Sequence, residues 1–287
     1  MLCPFKRLLL DALKDRRAVG AFNVGNLEML LGIVKAAEES NTPVILQIAE
    51  KRFSHSPLEY IAPMLHAAAM RAKVEIALEL DHGCTLFNVR RSMDLGFNTI
   101  MFDGSMFHVD KNIEETKKIA DEAHARGVAL EAEIGVVGGA EGGAEMQANC
   151  ASLSDIIKLG TQSSCDALAV AIGNAHGHYK GVPKLNFKLL EDAHNALPDL
   201  PLVLHGGTGI SLSDFRKAIT MGIAKINIAT ANFDAIVTAS QKYTKTSDPK
   251  SSNYFSLNEL MVEEVYNTTL AHIKVFNNQE PLESINF

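Results

Sequence analysis

Short apolar runs and amphipathic stretches take turns along this chain. Val19–Val24, Val44–Ala49, Val74–Leu80 and Thr99–Gly104 read as strands, since near-continuous apolar runs suit a sheet covered on both faces. Val128–Ile134, Ala167–Ile172, Pro201–Leu204 and Lys225–Thr230 continue the series. Between them, Leu27–Glu39 repeats apolar residues at helical spacing, and Pro57–Ala72, Leu86–Leu95, Ile113–Ala125, Phe187–Asn195 and Leu212–Met221 also read as helices. Gly96 and Gly127 close two of them, Ser56 is a cap before Pro57, and Ser152 or Ser154 caps one more. A hydrophilic stretch, Lys242–Asn253, precedes a last long helix around Asn258–Lys274. Gly135–Asn149 is rich in glycine and acidic residues, shows little periodicity, and reads as a long loop, of the kind that forms functional lids or is disordered.

Eight strands alternating with helices in a chain of 287 residues match the size of a (β/α)8 TIM barrel. Parallel strands need such crossovers. The expectation is a single barrel domain over residues 1–287 with an extra C-terminal helix. A doubly wound open sheet is the rival, weakened because no GxGxxG follows the first strand.

Composition narrows the class. A net charge of -7, without a basic run, argues against a nucleic-acid partner. Cys3, Cys84, Cys150 and Cys165 are scattered without CxxC spacing and read as reduced thiols. Asp11 and Asp15 interrupt or follow the apolar N-terminus, no small-residue cleavage site follows, and no apolar stretch reaches a membrane span. A soluble cytoplasmic protein, with no membrane partner, is expected.

A barrel places its active site at the C-terminal ends of its strands. Those ends carry Asp81 and His82, Asp103, Glu131 and Glu133, His176, His205, and Asn227 with Thr230. Buried charges cost several kcal/mol unless they are paired or bind metal. Three histidines with an open fourth position form a catalytic zinc arrangement, and carboxylates can fix their tautomers or bind the metal in a second position. A metal-free proton relay is the alternative; the meeting of so many ligand types favours metal. The stretch Leu202–Ser211 is the densest signal. An apolar run ends in His205, and Gly206, Gly207 and Thr208 then lead into a helix start suited to an anion. His55, His108, His124, His194 and His272 read as solvated and His66 as packed on its helix, while His178 is near enough to His176 to face the mouth.

Leu80-Asp81-His82-Gly83, Gly173-Asn174-Ala175-His176-Gly177, Leu204-His205-Gly206-Gly207 and Ile226-Asn227-Ile228-Ala229-Thr230 resemble the class II, zinc-dependent ketose-bisphosphate aldolases, with the tagatose-bisphosphate branch nearest. The resemblance runs from about Ala21 to Thr230 and is specific as a set. It implies that His82, His176 and His205 hold one zinc per chain, with Asp103 and Glu133 near an alternative metal position. It implies that Asp81 protonates or polarises the aldehyde carbonyl, Glu141 moves the C–H proton, and Asn227 binds the enediolate. Gly177, Lys180, Gly206, Thr208 and Thr230 match the phosphate site for dihydroxyacetone phosphate. The family pattern further implies a sugar-phosphate substrate, a homodimer or homotetramer and, as an option, a monovalent cation.

Elementary chemistry agrees. Breaking a C–C bond beside a ketone leaves a carbanion, which a Lewis acid can hold as an enediolate. A carboxylate on a closing loop can serve as base where water is scarce. The sequence departs from the pattern at Ala49, where many relatives have serine, at His178, usually apolar, and at Ala140, which removes one of two adjacent loop acids. The rival readings are a Schiff-base aldolase, disfavoured because Lys225 begins strand eight at the wrong end; a barrel metallohydrolase; and a non-catalytic sugar-phosphate binder. No arginine follows Thr230 to clamp a second phosphate; Lys51 and Arg52, directly after strand two and so at the barrel mouth, are the nearest substitute, but their favoured reading is as solvated loop charges. Ketose bisphosphates are therefore expected to be poor substrates.

Overall fold

The computed structural model describes residues 1–139, 150–179, 181–246 and 253–278. Eight parallel strands close into a barrel in chain order. They are β1 (Val19–Asn23), β2 (Val44–Ala49), β3 (Ile76–Gly83), β4 (Thr99–Phe102), β5 (Ala129–Ile134), β6 (Ala167–Val170), β7 (Leu202–Leu204) and β8 (Ile223–Ile228). Ala21 of β1 pairs with Asn227 of β8, which seals the ring and excludes the open sheet.

Helices return the chain from strand to strand: α1 (Phe5–Lys14), α2 (Leu27–Glu39), α3 (Leu58–Arg71), α4 (Leu86–Asp94), α5 (Val109–Ala125), α6 (Leu153–Gln162), α7 (Phe187–Ala196), α8 (Leu212–Thr220), α9 (Thr230–Thr246) and α10 (Tyr254–Asn277). A 3-10 turn, Glu50–Ser54, follows β2. Outward-facing strand residues such as Phe22, Leu46, Leu78 and Leu130 form the main core with the helices. Inward-facing residues near the strand starts, including Val19, Ala21, Ala77 and Ala167, form a second core with Phe5, Leu8, Leu9 and Ala12 of α1. Thus α1 closes the N-terminal end of the barrel as a plug.

Strand side chains alternate with period two, so the interior layers can be read along each strand. On β3 the inward series runs Ala77, Glu79, Asp81, and on β5 it passes through Glu131 and Glu133; those four acids are buried. The interior therefore changes from an apolar floor to a charged top. That change directs the polar chemistry to the C-terminal ends of the strands.

Several expectations need correction. Helix α1 was hidden in the N-terminal apolar run, although Phe5, Leu8, Leu9 and Ala12 have helical spacing. Thr230 opens α9 instead of ending the eighth strand, and α9 covers much of a region with no clear periodicity. Asp81 and His82 lie within β3, which runs on to Gly83. Ser56 is no cap: its hydroxyl donates to the Gly25 carbonyl at 2.6 Å, and Pro57 holds the cap position. Ser152, rather than Ser154, caps α6 by accepting from the Asp155 amide. His272 is buried, at 3% exposure, rather than solvated, and His124 pairs with Asp166 at 2.8 Å. No helix among the described residues is long and apolar enough to cross a membrane, and all four cysteines are free.

Candidate active site

Three strands bring three imidazoles to one point. His82 lies in β3, His205 follows β7 directly, and His176 sits in the loop after β6. Nε2 of His82 stands 3.1 Å from Nε2 of His176 and 3.0 Å from Nδ1 of His205. All three side chains are buried. His82 has a left-handed backbone, φ +46°, where the β3–β4 pairing slips register between Leu80 and Gly83. Such irregularities re-aim side chains at functional sites, and the strain persists because surrounding packing holds it.

The outer nitrogens are tied to carboxylates. His82 Nδ1–H donates to Asp103 Oδ2 at 3.0 Å, and His205 Nε2–H donates to Glu131 Oε1 at 2.9 Å. In the neutral imidazole each bond leaves the inner nitrogen as a lone pair facing the centre, the arrangement by which carboxylates orient metal-bound histidines. Glu133 Oε2 lies 3.8 Å from His82 Nδ1 and 3.9 Å from His205 Nδ1, buried and without a hydrogen bond among the described residues. Two donor sets result: His82, His176 and His205; and His82, Asp103 and Glu133.

The electrostatics point to a cation. Burial opposes charge on His82, but Asp81, Asp103 and Glu133 outweigh it and hold its pKa well above the ordinary value. Burial and the neighbouring His82 charge push His176 and His205 well below theirs. Burial raises Glu133 well above the carboxylate range, reinforced by repulsion from Asp103. Burial would also raise Asp103, but bonds from His82 and Ser105 prevail and hold it low. Crowded imidazole lone pairs beside surplus carboxylate fit a divalent metal of borderline softness.

Beneath the histidines runs a buried ionic chain. Lys225 Nζ lies 2.8 Å from Glu79 Oε2 and 2.8 Å from Glu131 Oε2, and Glu131 in turn holds His205. Burial opposes the ammonium, but Glu131 and Glu79 outweigh it and raise the Lys225 pKa. Lys225 is thus locked inside the barrel below the histidines, which removes it as a Schiff-base nucleophile at the mouth.

Asp81 accepts from Asn23 Nδ2 at 2.9 Å and Asn227 Nδ2 at 3.1 Å. Beside it, Gly177, Gly206, Thr208, Asn227 and Thr230 line a small concavity together with His176. Thr208 Oγ1 accepts from the Ala231 amide in the first turn of α9, which pins the β7 turn to that helix start. Gly206 has φ +63°, and a Cβ there would meet the Ala175 carbonyl oxygen at 2.1 Å. Lys180 and Glu141 lie outside the described residues. His178 is exposed and pairs with Asp234 of α9 at 3.3 Å. Lys51 is exposed, whereas Arg52 is half-buried over the Phe233 ring, which corrects its reading as a solvated charge.

Three supporting residues escaped the sequence reading. Asn23 ends an apolar strand, the same signal that marked Asp81, and accepts from Gln47. Asn174 Nδ2 donates to the His205 carbonyl at 2.9 Å. The Tyr179 hydroxyl donates to the Gly206 carbonyl and accepts from the Ala175 amide, each at 2.9 Å, and so braces the β6 and β7 turns together. Cross-turn bonds of this kind leave no local sequence pattern.

The family model for class-II fructose-bisphosphate aldolase matches residues 4–280. The chain belongs to that family. Among its relatives, the 6-phospho-5-dehydro-2-deoxy-D-gluconate aldolase of Bacillus subtilis is 40% identical over 228 residues, 78% of each chain. The fructose-bisphosphate aldolase of Staphylococcus aureus is 38% identical over 237 residues, 80% of this chain and 82% of its own. The solved structure of the YdjI aldolase from Escherichia coli K12 superposes with a TM-score of 0.86 at 32% identity, covering 96% of this chain and 97% of that one. Class II aldolases are carbon–carbon lyases, so the rival readings as a hydrolase or a mere binder lose their ground.

Proposed function

We propose that this class II aldolase is zinc-dependent and forms or cleaves a ketose 1-phosphate, or a ketose bisphosphate, through the enediolate of dihydroxyacetone phosphate. The observation that carries the reading is the meeting of His82, His176 and His205 nitrogens at 3.0 to 3.1 Å, two of them backed by carboxylates. The relatives' fructose-bisphosphate and phosphodeoxygluconate activities support a phosphorylated ketose as substrate. A divalent metal held by the three histidines would supply Lewis-acid stabilisation of negative charge on the substrate's ketone oxygen.

The chain's own residues do the rest. Gly177, Gly206, Thr208 and Thr230, with Lys180, hold the phosphate beside the start of α9, where the helix dipole favours an anion. Asn227 hydrogen-bonds the enediolate oxygen. Asp81, oriented by Asn23 and Asn227, takes the hydroxyl proton as the C–C bond breaks and returns it to the aldehyde oxygen in synthesis. Glu141 moves the proton at the carbon of dihydroxyacetone phosphate. Asp103 and Glu133 offer a second metal position. Residues 1–287 make one barrel domain, and the protein works as a cytoplasmic homodimer or homotetramer.

Metal analysis tests the reading. About one zinc per chain is expected, as is loss of both aldol activity and solvent exchange of the dihydroxyacetone phosphate proton after chelation. His82→Ala should lose the metal as well. Full activity in metal-free protein would sink the zinc mechanism.

A further inference from the structure

We propose that Lys225 is a positioning residue: by clamping Glu131 it fixes which ring nitrogen of His205 faces the metal, and so sets the strength of the metal site. This rests on the zinc reading above and adds to it a residue that acts from inside the barrel, through two others. Lys225 stands on β8 two positions before Asn227, so both side chains enter the interior, with Lys225 one layer lower. Glu79 and Glu131 stand in the same relation to Asp81 on β3 and Glu133 on β5. The neighbours of β8 in the sheet are β1 and β7. The Lys225 side chain therefore reaches Glu79 and Glu131 by crossing the lumen, as a strut between strands that are not adjacent.

Stability alone does not call for such a layer. Barrel interiors are usually filled by branched apolar side chains. Exchanging a whole buried ion cluster for apolar residues of similar volume is often neutral or even stabilising. All three side chains of this cluster are inaccessible to solvent. A strut of charges is thus kept where Val or Leu would serve the fold, directly beneath the three histidines.

The bonds show what the strut adds. The Lys225 ammonium donates to Glu131 Oε2 at 2.8 Å, and Glu131 Oε1 accepts from His205 Nε2 at 2.9 Å. With one oxygen held by Lys225, the carboxylate plane is set, and the other oxygen meets His205 as an acceptor. The imidazole then keeps its proton on Nε2 and turns Nδ1 toward the centre, where His82 Nε2 stands 3.0 Å away. Asn174 already holds the His205 backbone by donating to its carbonyl at 2.9 Å. The rotation of the ring is what remains for Glu131 to fix. Removing the partners that orient metal-bound histidines typically costs about ten- to a hundredfold in metal affinity.

The test reads metal binding instead of turnover. Zinc affinity is measured by competition with a chelating indicator, and the cobalt-substituted protein gives a visible absorption spectrum that follows ligand geometry. Lys225→Met should bind zinc roughly ten- to a hundredfold more weakly and shift the cobalt bands. Because an unpaired buried charge can unfold that variant, Glu79→Gln/Lys225→Met is measured beside it. The double variant removes one negative and one positive charge, so the net charge of the layer is kept while the clamp on Glu131 is gone. Its urea midpoint should exceed that of Lys225→Met, yet zinc affinity and cobalt spectrum should stay altered. A purely structural role would restore all three together. A double variant with the zinc affinity and cobalt spectrum of the wild type would overturn the proposal. In that event, loss of zinc in His82→Ala leaves the zinc reading standing; absence of zinc binding in the wild type sinks both.

Discussion

Lys225 carries its charge into a part of the barrel where no solvent reaches it. It is tolerable there because Glu79 and Glu131 each lie 2.8 Å from the ammonium. Removing one partner of such a cluster leaves uncompensated buried charge, which typically destabilises by about 3–5 kcal/mol. Lys225→Met should therefore lower the midpoint of urea unfolding well beyond an ordinary core substitution. Adding Glu79→Gln and Glu131→Gln should restore part of the loss. A single variant as stable as the wild type would show that the cluster contributes no pairing energy. His82 makes a different point at the same scale. Its side-chain type was a visible clue, but its left-handed backbone arises from the β3–β4 register slip and could not be read from the local sequence.

At the level of elements, the phosphate cradle depends on how the turns after β6 and β7 lie on one another. Gly206 touches the backbone of the other turn, and its φ of +63° suits glycine. Gly206→Ala should force the turns apart. The expected outcome is at least roughly tenfold weaker binding of dihydroxyacetone phosphate in calorimetry, from misplaced amides on a phosphate, while the zinc content stays near that of the wild type. Unaltered affinity would remove this turn from the phosphate site. The glycines were conspicuous in the sequence, whereas the Tyr179 brace that holds the turns was not.

On the scale of the whole molecule, α10 wraps back over the start of the barrel, and His272 is buried where it packs. Its ring stands edge-on to Phe215 of α8, at 6.4 Å between centroids, and its Nδ1–H donates to the Thr268 carbonyl at 2.7 Å. Burial pushes its pKa down from 6.5 to about 4. The unfolded chain therefore binds a proton more readily than the folded one between those values. Stability rises with pH across that window and falls as the solution is acidified, by about 2 kcal/mol between pH 7 and pH 5 from this residue alone. Urea unfolding of the wild type and of His272→Gln at both pH values checks this. The variant should lose distinctly less on acidification; an identical loss would place the sensitivity elsewhere.

The order of strands and helices, the barrel and the three histidines were legible because each leaves a local trace: an apolar run, a helical period, a polar residue where a buried run ends. Asp81, Asp103 and Glu133 were legible for the same reason, since charge in a buried strand demands a partner. Helix α9 was not, because its faces show little contrast and its place is set by contact with α10 and by the Thr208 bond to its first turn. Nor was the burial of His272, on a helix whose covered side depends on which neighbours it meets. The chain of contacts from Lys225 through Glu131 to His205 spans three strands far apart in sequence. Only closure of the barrel brings those strands together. The sequence alone could supply the kinds of side chain and their spacing along each element. Distances between elements, and hence which nitrogen faces the centre and which carboxylate stands behind it, exist only in the folded ring.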